Sequence, residues 1–185
     1  YRIGQLWQHR LTDLARAVES YKEALAMDYG HMETLVALDG LLRSDEGEPA
    51  VMAARVLEPI YQTAAEYDRL IDVLEVMIRY GDNPVAVVDL LHRVAELHEH
   101  RLERPRDAFA AFARALREDS GNELSLGHLE RLADQTRSWR ELVQLYGSIE
   151  SRHQETILLD FPDHLASRSR YARADALFAP NGVIG

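Results

Sequence analysis

The sequence predicts an all-α protein built as an array of repeated helices, and three observations carry that prediction. Residues Ile3 to Arg43 lie on Val94 to Asp134 at a constant offset of 91 without a gap, and 12 of the 41 aligned positions are identical. Within both copies apolar residues recur at three- and four-residue spacing, the period of one helix face. Both copies also close their central helix with the same kind of polar turn, Asp28-Tyr29-Gly30-His31 and Asp119-Ser120-Gly121-Asn122. Repeats of this kind bury a continuous core only by stacking, and such stacks usually bind rather than catalyse.

In the first copy Leu14, Ala17, Val18, Tyr21, Ala24 and Leu25 form one helix face over Thr12 to Asp28. Pro105, Ala108, Phe109, Phe112, Ala115 and Leu116 do the same in the second, and Pro105 suits a first turn, where a missing N–H needs no partner. Glycine in the closing turns supplies the left-handed conformation that ends helices. Next, Leu35/Leu126, Leu38/Leu129 and Leu41/Leu132 predict a further helix over Met32 to Arg43 and its copy. The acidic stretch Ser44-Asp45-Glu46-Gly47-Glu48-Pro49 reads as an exposed loop. A helix is expected over Val51 to Ala64, bent at Pro59, which lacks a backbone donor.

A shorter echo at offset 72 pairs Leu57/Leu129, Glu58/Glu130, Ile60/Leu132, Tyr67/Trp139, Leu70/Leu142, Ile71/Val143 and Leu74/Tyr146. Tyr67 and Trp139, each followed one turn later by leucine, read as packing residues. Tyr80-Gly81-Asp82-Asn83-Pro84 marks another break, and about five helices separate one copy from the next, an odd number that makes one hairpin irregular. The repeat array is therefore expected over residues 1–150. A C-terminal cap helix, within Pro162 to Phe178, and a disordered tail ending in Asn181-Gly182-Val183-Ile184-Gly185 are expected over 151–185.

A net charge of −10 and 21 basic residues against 31 acidic ones disfavour nucleic acid and anionic membrane as partners, and leave a basic or apolar protein partner easier to accommodate. No apolar run approaches the ~20 residues of a membrane span, so the chain is expected to be soluble, with a cytoplasmic compartment favoured. The lack of cysteine removes disulfides and thiolate chemistry. Lys22 is the only lysine, a bias that suggests a high-GC bacterial source.

Ile3-Gly4-Gln5-Leu6-Trp7 followed by Ala17, Tyr21 and Ala24 resembles the tetratricopeptide repeat, with its Leu-Gly-x-x-aromatic start and its alanine, aromatic and alanine on the second helix. Val94-Ala95-Glu96-Leu97-His98 with Ala108, Phe112 and Ala115 resembles a divergent copy, and Tyr29 and Ser120 stand where the family carries proline. The resemblance implies a right-handed superhelical solenoid of antiparallel helix pairs, whose first helices line a concave groove for a peptide or helix of a partner protein.

The candidate groove residues are Tyr1, Gln5, Gln8 and His9 on the first helix, with His92, Glu96, Glu99 and His100 as their repeat equivalents. His92, Glu96 and His100 share a helix face at four-residue steps, but three collinear ligands converge poorly on a metal, so no metal site is expected. Neither a metalloprotease His-Glu-x-x-His, a phosphate loop nor a nucleophile elbow is present. Asp45, Glu46 and Glu48 read as a solvated loop. The expectation is a non-catalytic interaction module without cofactor. Its alternative is a scaffolding segment of a larger protein that positions a neighbouring domain or self-associates through an exposed repeat end.

Overall fold

A computed structural model describes residues 1–44 and 47–157. Among these residues the chain is all-helical, with nine α-helices and no strand. The order is α1 (Arg2–His9), α2 (Leu14–Met27), α3 (Met32–Arg43), α4 (Glu48–Ala64), α5 (Tyr67–Arg79), α6 (Pro84–His100), α7 (Pro105–Glu118), α8 (Glu123–Thr136) and α9 (Trp139–Ile157). None of the described helices is long and apolar enough to cross a membrane.

The 91-residue echo is an echo of backbone. Helices α2 and α7 coincide residue for residue in that register. Before them, Thr12 and Glu103 take left-handed φ values of 52° and 54°, and Leu11 N–H and Leu102 N–H donate to Leu6 O and Leu97 O, both at 3.1 Å. After them, the carboxylates of Asp28 and Asp119 accept from the N–H groups of Gly30 and Gly121 at 3.2 and 3.1 Å. His31 Nδ1 and Asn122 Oδ1 then cap α3 and α8 by accepting from Thr34 N–H and Ser125 N–H. The two hydroxyl side chains that follow the caps, Thr34 and Ser125, are fully buried in both copies.

The echo at 72 residues is structural too. Ala65 and Arg137 end α4 and α8 in the left-handed conformation, and Glu66 N–H and Ser138 N–H donate across the turn to Tyr61 O and Ala133 O, both at 3.0 Å. Five helices, α1 to α5, precede α6, so the odd spacing read from the sequence is present.

Two helix boundaries differ from expectation. Helix α4 starts at Glu48, so Glu48 and Pro49 belong to its first turn and not to the loop assigned to Ser44–Pro49; a proline there gives up no helical hydrogen bond. Asp45 and Glu46 lie outside the described residues. Pro59 lies inside α4, which ends at Ala64, and the Thr63 hydroxyl donates to Pro59 O at 2.8 Å. Helix α9 crosses the boundary placed at residue 150 and continues to Ile157. The cap helix expected within 162–178 and the tail at 181–185 fall outside the described residues.

Each helix packs mainly on the helices before and after it in the chain, and α2 additionally on α4. One cluster of buried side chains extends through these contacts from Ala17 to Ile149. Ion pairs add ties that skip a helix. Asp39 of α3 meets Arg69 of α5 at 4.0 Å, Glu58 of α4 meets Arg93 of α6 at 2.8 Å, and Asp68 of α5 meets Arg104, the cap of α7, at 2.6 Å. Glu75 of α5 holds Arg114 of α7 through two bonds of 2.5 and 2.8 Å, and Glu99 of α6 holds Arg131 of α8 at 2.6 and 2.8 Å. Pairs this exposed each contribute about 0–1 kcal/mol, so their larger effect is to fix how one layer sits on the next.

The tightest helix approach is at Gly4. A β-carbon there would overlap the Cδ1 and Cε1 atoms of Tyr21, a fully buried ring with no room to withdraw. Gly4→Ala is therefore expected to destabilise the fold by about 1–3 kcal/mol despite alanine's better helix propensity, as overpacking of a closed core does. Urea denaturation measures this; an unchanged or higher midpoint would show that α1 shifts freely on α2.

Candidate partner-binding surface

The eight candidate residues fall on α1 and at the C-terminal half of α6, in repeat-equivalent places. On α1, Gln5 Nε2 donates to the Tyr1 hydroxyl at 2.7 Å, and the Tyr1 ring leans on Tyr21 and His31 with centroids 6.1 and 5.2 Å apart. Gln8 Oε1 accepts from the Tyr21 hydroxyl at 2.7 Å. Burial, helped by the nearby Tyr1, pushes the Tyr21 phenol up to about 12. His9 ends the helix exposed.

On α6, His92 takes the place of Tyr1 and packs likewise against the aromatic residue of the next helix, Phe112, at 5.5 Å. Its Nε2 lies 2.7 Å from the buried Ser125 hydroxyl. Phe112 is covered on its other side by the stacked His128 ring at 4.4 Å. Glu99 takes the place of Gln8 but turns to Arg131 of α8, since Phe112 has no hydroxyl to offer. Glu96 and His100 are exposed. The structure thus gives Gln8, His92 and Glu99 partners inside the fold, pairs Tyr1 with Gln5 along α1, and leaves His9, Glu96 and His100 directed to solvent.

Burial lowers the affinity of His92 for a proton, outweighing the opposing pull of Asp89. The same cause lowers His98, whose Nδ1 is buried without a hydrogen-bond partner. Sequence reasoning did not single out His98; its only signal is that it stands where the first copy carries Trp7. The two hydrogen bonds from Arg131 hold the Glu99 carboxyl below its ordinary range. Among the described residues no group of three or more His, Asp or Glu side chains is arranged to hold a metal ion.

A second feature comes from three consecutive helices. Ile78, Val87 and Leu91 floor a cleft of about 210 Å³ between α5, α6 and α7, rimmed by Arg114, Arg117 and Glu118. Gly81 shapes its edge, because a β-carbon there would crowd Val87 Cγ2 at 2.7 Å and the Met77 carbonyl at 3.1 Å. No motif announces this cleft, since its walls meet only after the helices have packed.

Comparison with protein-family models, with curated proteins and with solved structures finds no match. The site must be argued from its own chemistry.

That chemistry makes the stability depend on pH in a defined direction. A histidine held below its usual 6.5 binds fewer protons in the fold than in the unfolded chain, so stability is level above that value and declines as pH falls through it. Glu99 adds stability that is present above its usual 4.5 and is lost on further acidification. His92→Gln should reduce the first decline to the share that His98 contributes and leave the second. Urea midpoints between about pH 8 and pH 4 check this; an identical profile for the variant would remove His92 from the account.

Proposed function

We propose that the chain is a non-catalytic protein-interaction module, a tetratricopeptide-like right-handed solenoid of antiparallel helix pairs that receives a peptide or helix of a partner protein in a concave groove. The observation that carries this reading is the return of the α1–α2–α3 backbone in α6–α7–α8, with its turns and with the side-chain cap of α3 repeated on α8. A chain that repeats its supporting structure and varies its outward residues offers a ready-made recognition surface. Among the titratable groups with shifted proton affinity, His92, His98, Glu99 and Tyr21 are accounted for by packing and by ties between helices, so no catalytic role has to be invoked for these four.

Within the proposed groove, Gln5, His9, Glu96 and His100 are the residues left to meet a ligand. The net charge of −10 favours a basic or apolar protein segment over nucleic acid. The cleft floored by Ile78, Val87 and Leu91 adds a seat for one aliphatic side chain.

A second reading, a scaffolding segment that self-associates or positions a neighbouring domain, is favoured by one observation. Ile3, Leu6 and Leu11 leave an apolar face of the first hairpin in solvent.

Peptides selected from a displayed random library against the full chain test the main reading. They should be basic or apolar, and a Gln5→Ala/Glu96→Arg variant should bind them at least about tenfold more weakly, a change of about 1.4 kcal/mol. Selection that yields no binder, or binders indifferent to both the groove variant and a Leu91→Ala cleft variant, would sink it.

A further inference from the structure

The exposed face of the first hairpin has a covered counterpart in the same molecule. Ile3, Leu6 and Leu11 are 65%, 56% and 58% exposed, whereas at the equivalent places Val94 is 1% exposed and Leu97 and Leu102 pack against the core. The backbones are the same: Arg10 and Arg101 end α1 and α6 at φ/ψ of −110°/−39° and −108°/−38°. What differs is the neighbour. Helix α6 packs on α5 as well as α7, while the main contact of α1 is with α2.

A second α4–α5 hairpin also exists, at the other end of the described chain, because α8–α9 repeats it at offset 72 with the same left-handed cap and the same turn hydrogen bond. Four polar contacts that tie α4–α5 to α6–α7 among the described residues can each be carried to the two ends by the two offsets. Glu58–Arg93, at 2.8 Å, becomes Glu130 and Arg2, with both residues unchanged. Tyr67, 5.7 Å beneath the Arg101 guanidinium, becomes Trp139 and Arg10, so an aromatic face again meets arginine. Asp68–Arg104, at 2.6 Å, becomes Arg140 and Asp13, with its signs exchanged and its attraction kept. Only Glu75–Arg114 is lost, to Gly147 and Glu23, without bringing like charges together. Arg2, Arg10, Glu130 and Arg140 are exposed, and Asp13 and Trp139 are partly so.

We infer that the α8–α9 hairpin of one copy docks on the α1–α2 hairpin of a second copy, continuing the array head to tail through the contacts that join α5 to α6 within one chain. This deepens the self-association reading above. The two surfaces differ, so the contact is heterologous and does not close on itself in a dimer.

Two variants of the full chain test it. Ile3→Glu/Arg10→Glu disables the first face and Glu130→Arg/Arg140→Asp the second, all four at exposed positions, with circular dichroism confirming that each variant is folded. By sedimentation at high micromolar concentration, the wild type should exceed its 21.1 kDa monomer mass increasingly with concentration. Each variant alone should remain monomeric, and an equimolar mixture should give a heterodimer that grows no further. A monomeric wild type, a variant that still self-associates, or a mixture without heterodimer would overturn the head-to-tail junction. Peptide binding retained in that event would leave the interaction reading standing, whereas assembly as expected with no selected peptide would leave the junction and remove the groove.

Discussion

An amphipathic helix in water needs a cover for its apolar stripe, and in this chain the cover comes from helices adjacent in sequence. Almost everything else follows from that constraint. A helix in the middle is covered on two sides and tolerates full burial of residues such as Leu74, Val94 and Phe112. The first helix is covered by α2, and the absence of a side chain at Gly4 brings the Tyr21 ring directly onto the backbone.

The two copies also show how a repeat drifts without losing its frame. In the first, the polar residue in the last turn of α1 is Gln8, satisfied by the Tyr21 hydroxyl. In the second, tyrosine has become Phe112, glutamine has become Glu99, and Arg131 stands on α8 where the first copy has Gly40. Each change leaves a polar group in need of a partner unless the others accompany it, because a half-buried carboxylate or amide left unpaired is costly. The differences between copies are therefore coupled substitutions inside the stack at this position, and a residue that faces solvent, such as Glu96, is free to vary with a ligand.

Much of the fold was legible because helical period and turn chemistry are local. The echo at 91 residues located α2, α3, α7 and α8, and the echo at 72 extended the repetition through the middle of the chain. Periodicity reports which face of a helix is apolar, but it is silent about which polar residue waits across the interface. Arg131 lies 32 residues from Glu99, and Ser125 lies 33 from His92, so neither tie was visible from the α6 stripe alone. The start of α4 was missed for a different reason: proline and glycine among acidic residues signal a loop, yet the same proline is well suited to a first helical turn. The continuation of α9 past residue 150 was hidden because Ser151 to Thr156 is a polar run without an apolar period.

The dominance of contacts between sequence neighbours bears on how the chain reaches this structure. Pairing elements that are close along the chain closes only short loops, so little entropy is lost before packing begins to reward it. Hairpins such as α6–α7 can condense first and recruit α5 and α8 from either side, each addition meeting a surface already in place. The reverse path is equally local: α1 meets mainly α2, so opening it exposes one hairpin while the contacts among α4 to α8 can stay closed. An arrangement of this kind can also gain or lose a layer in evolution without redesigning the layers that remain.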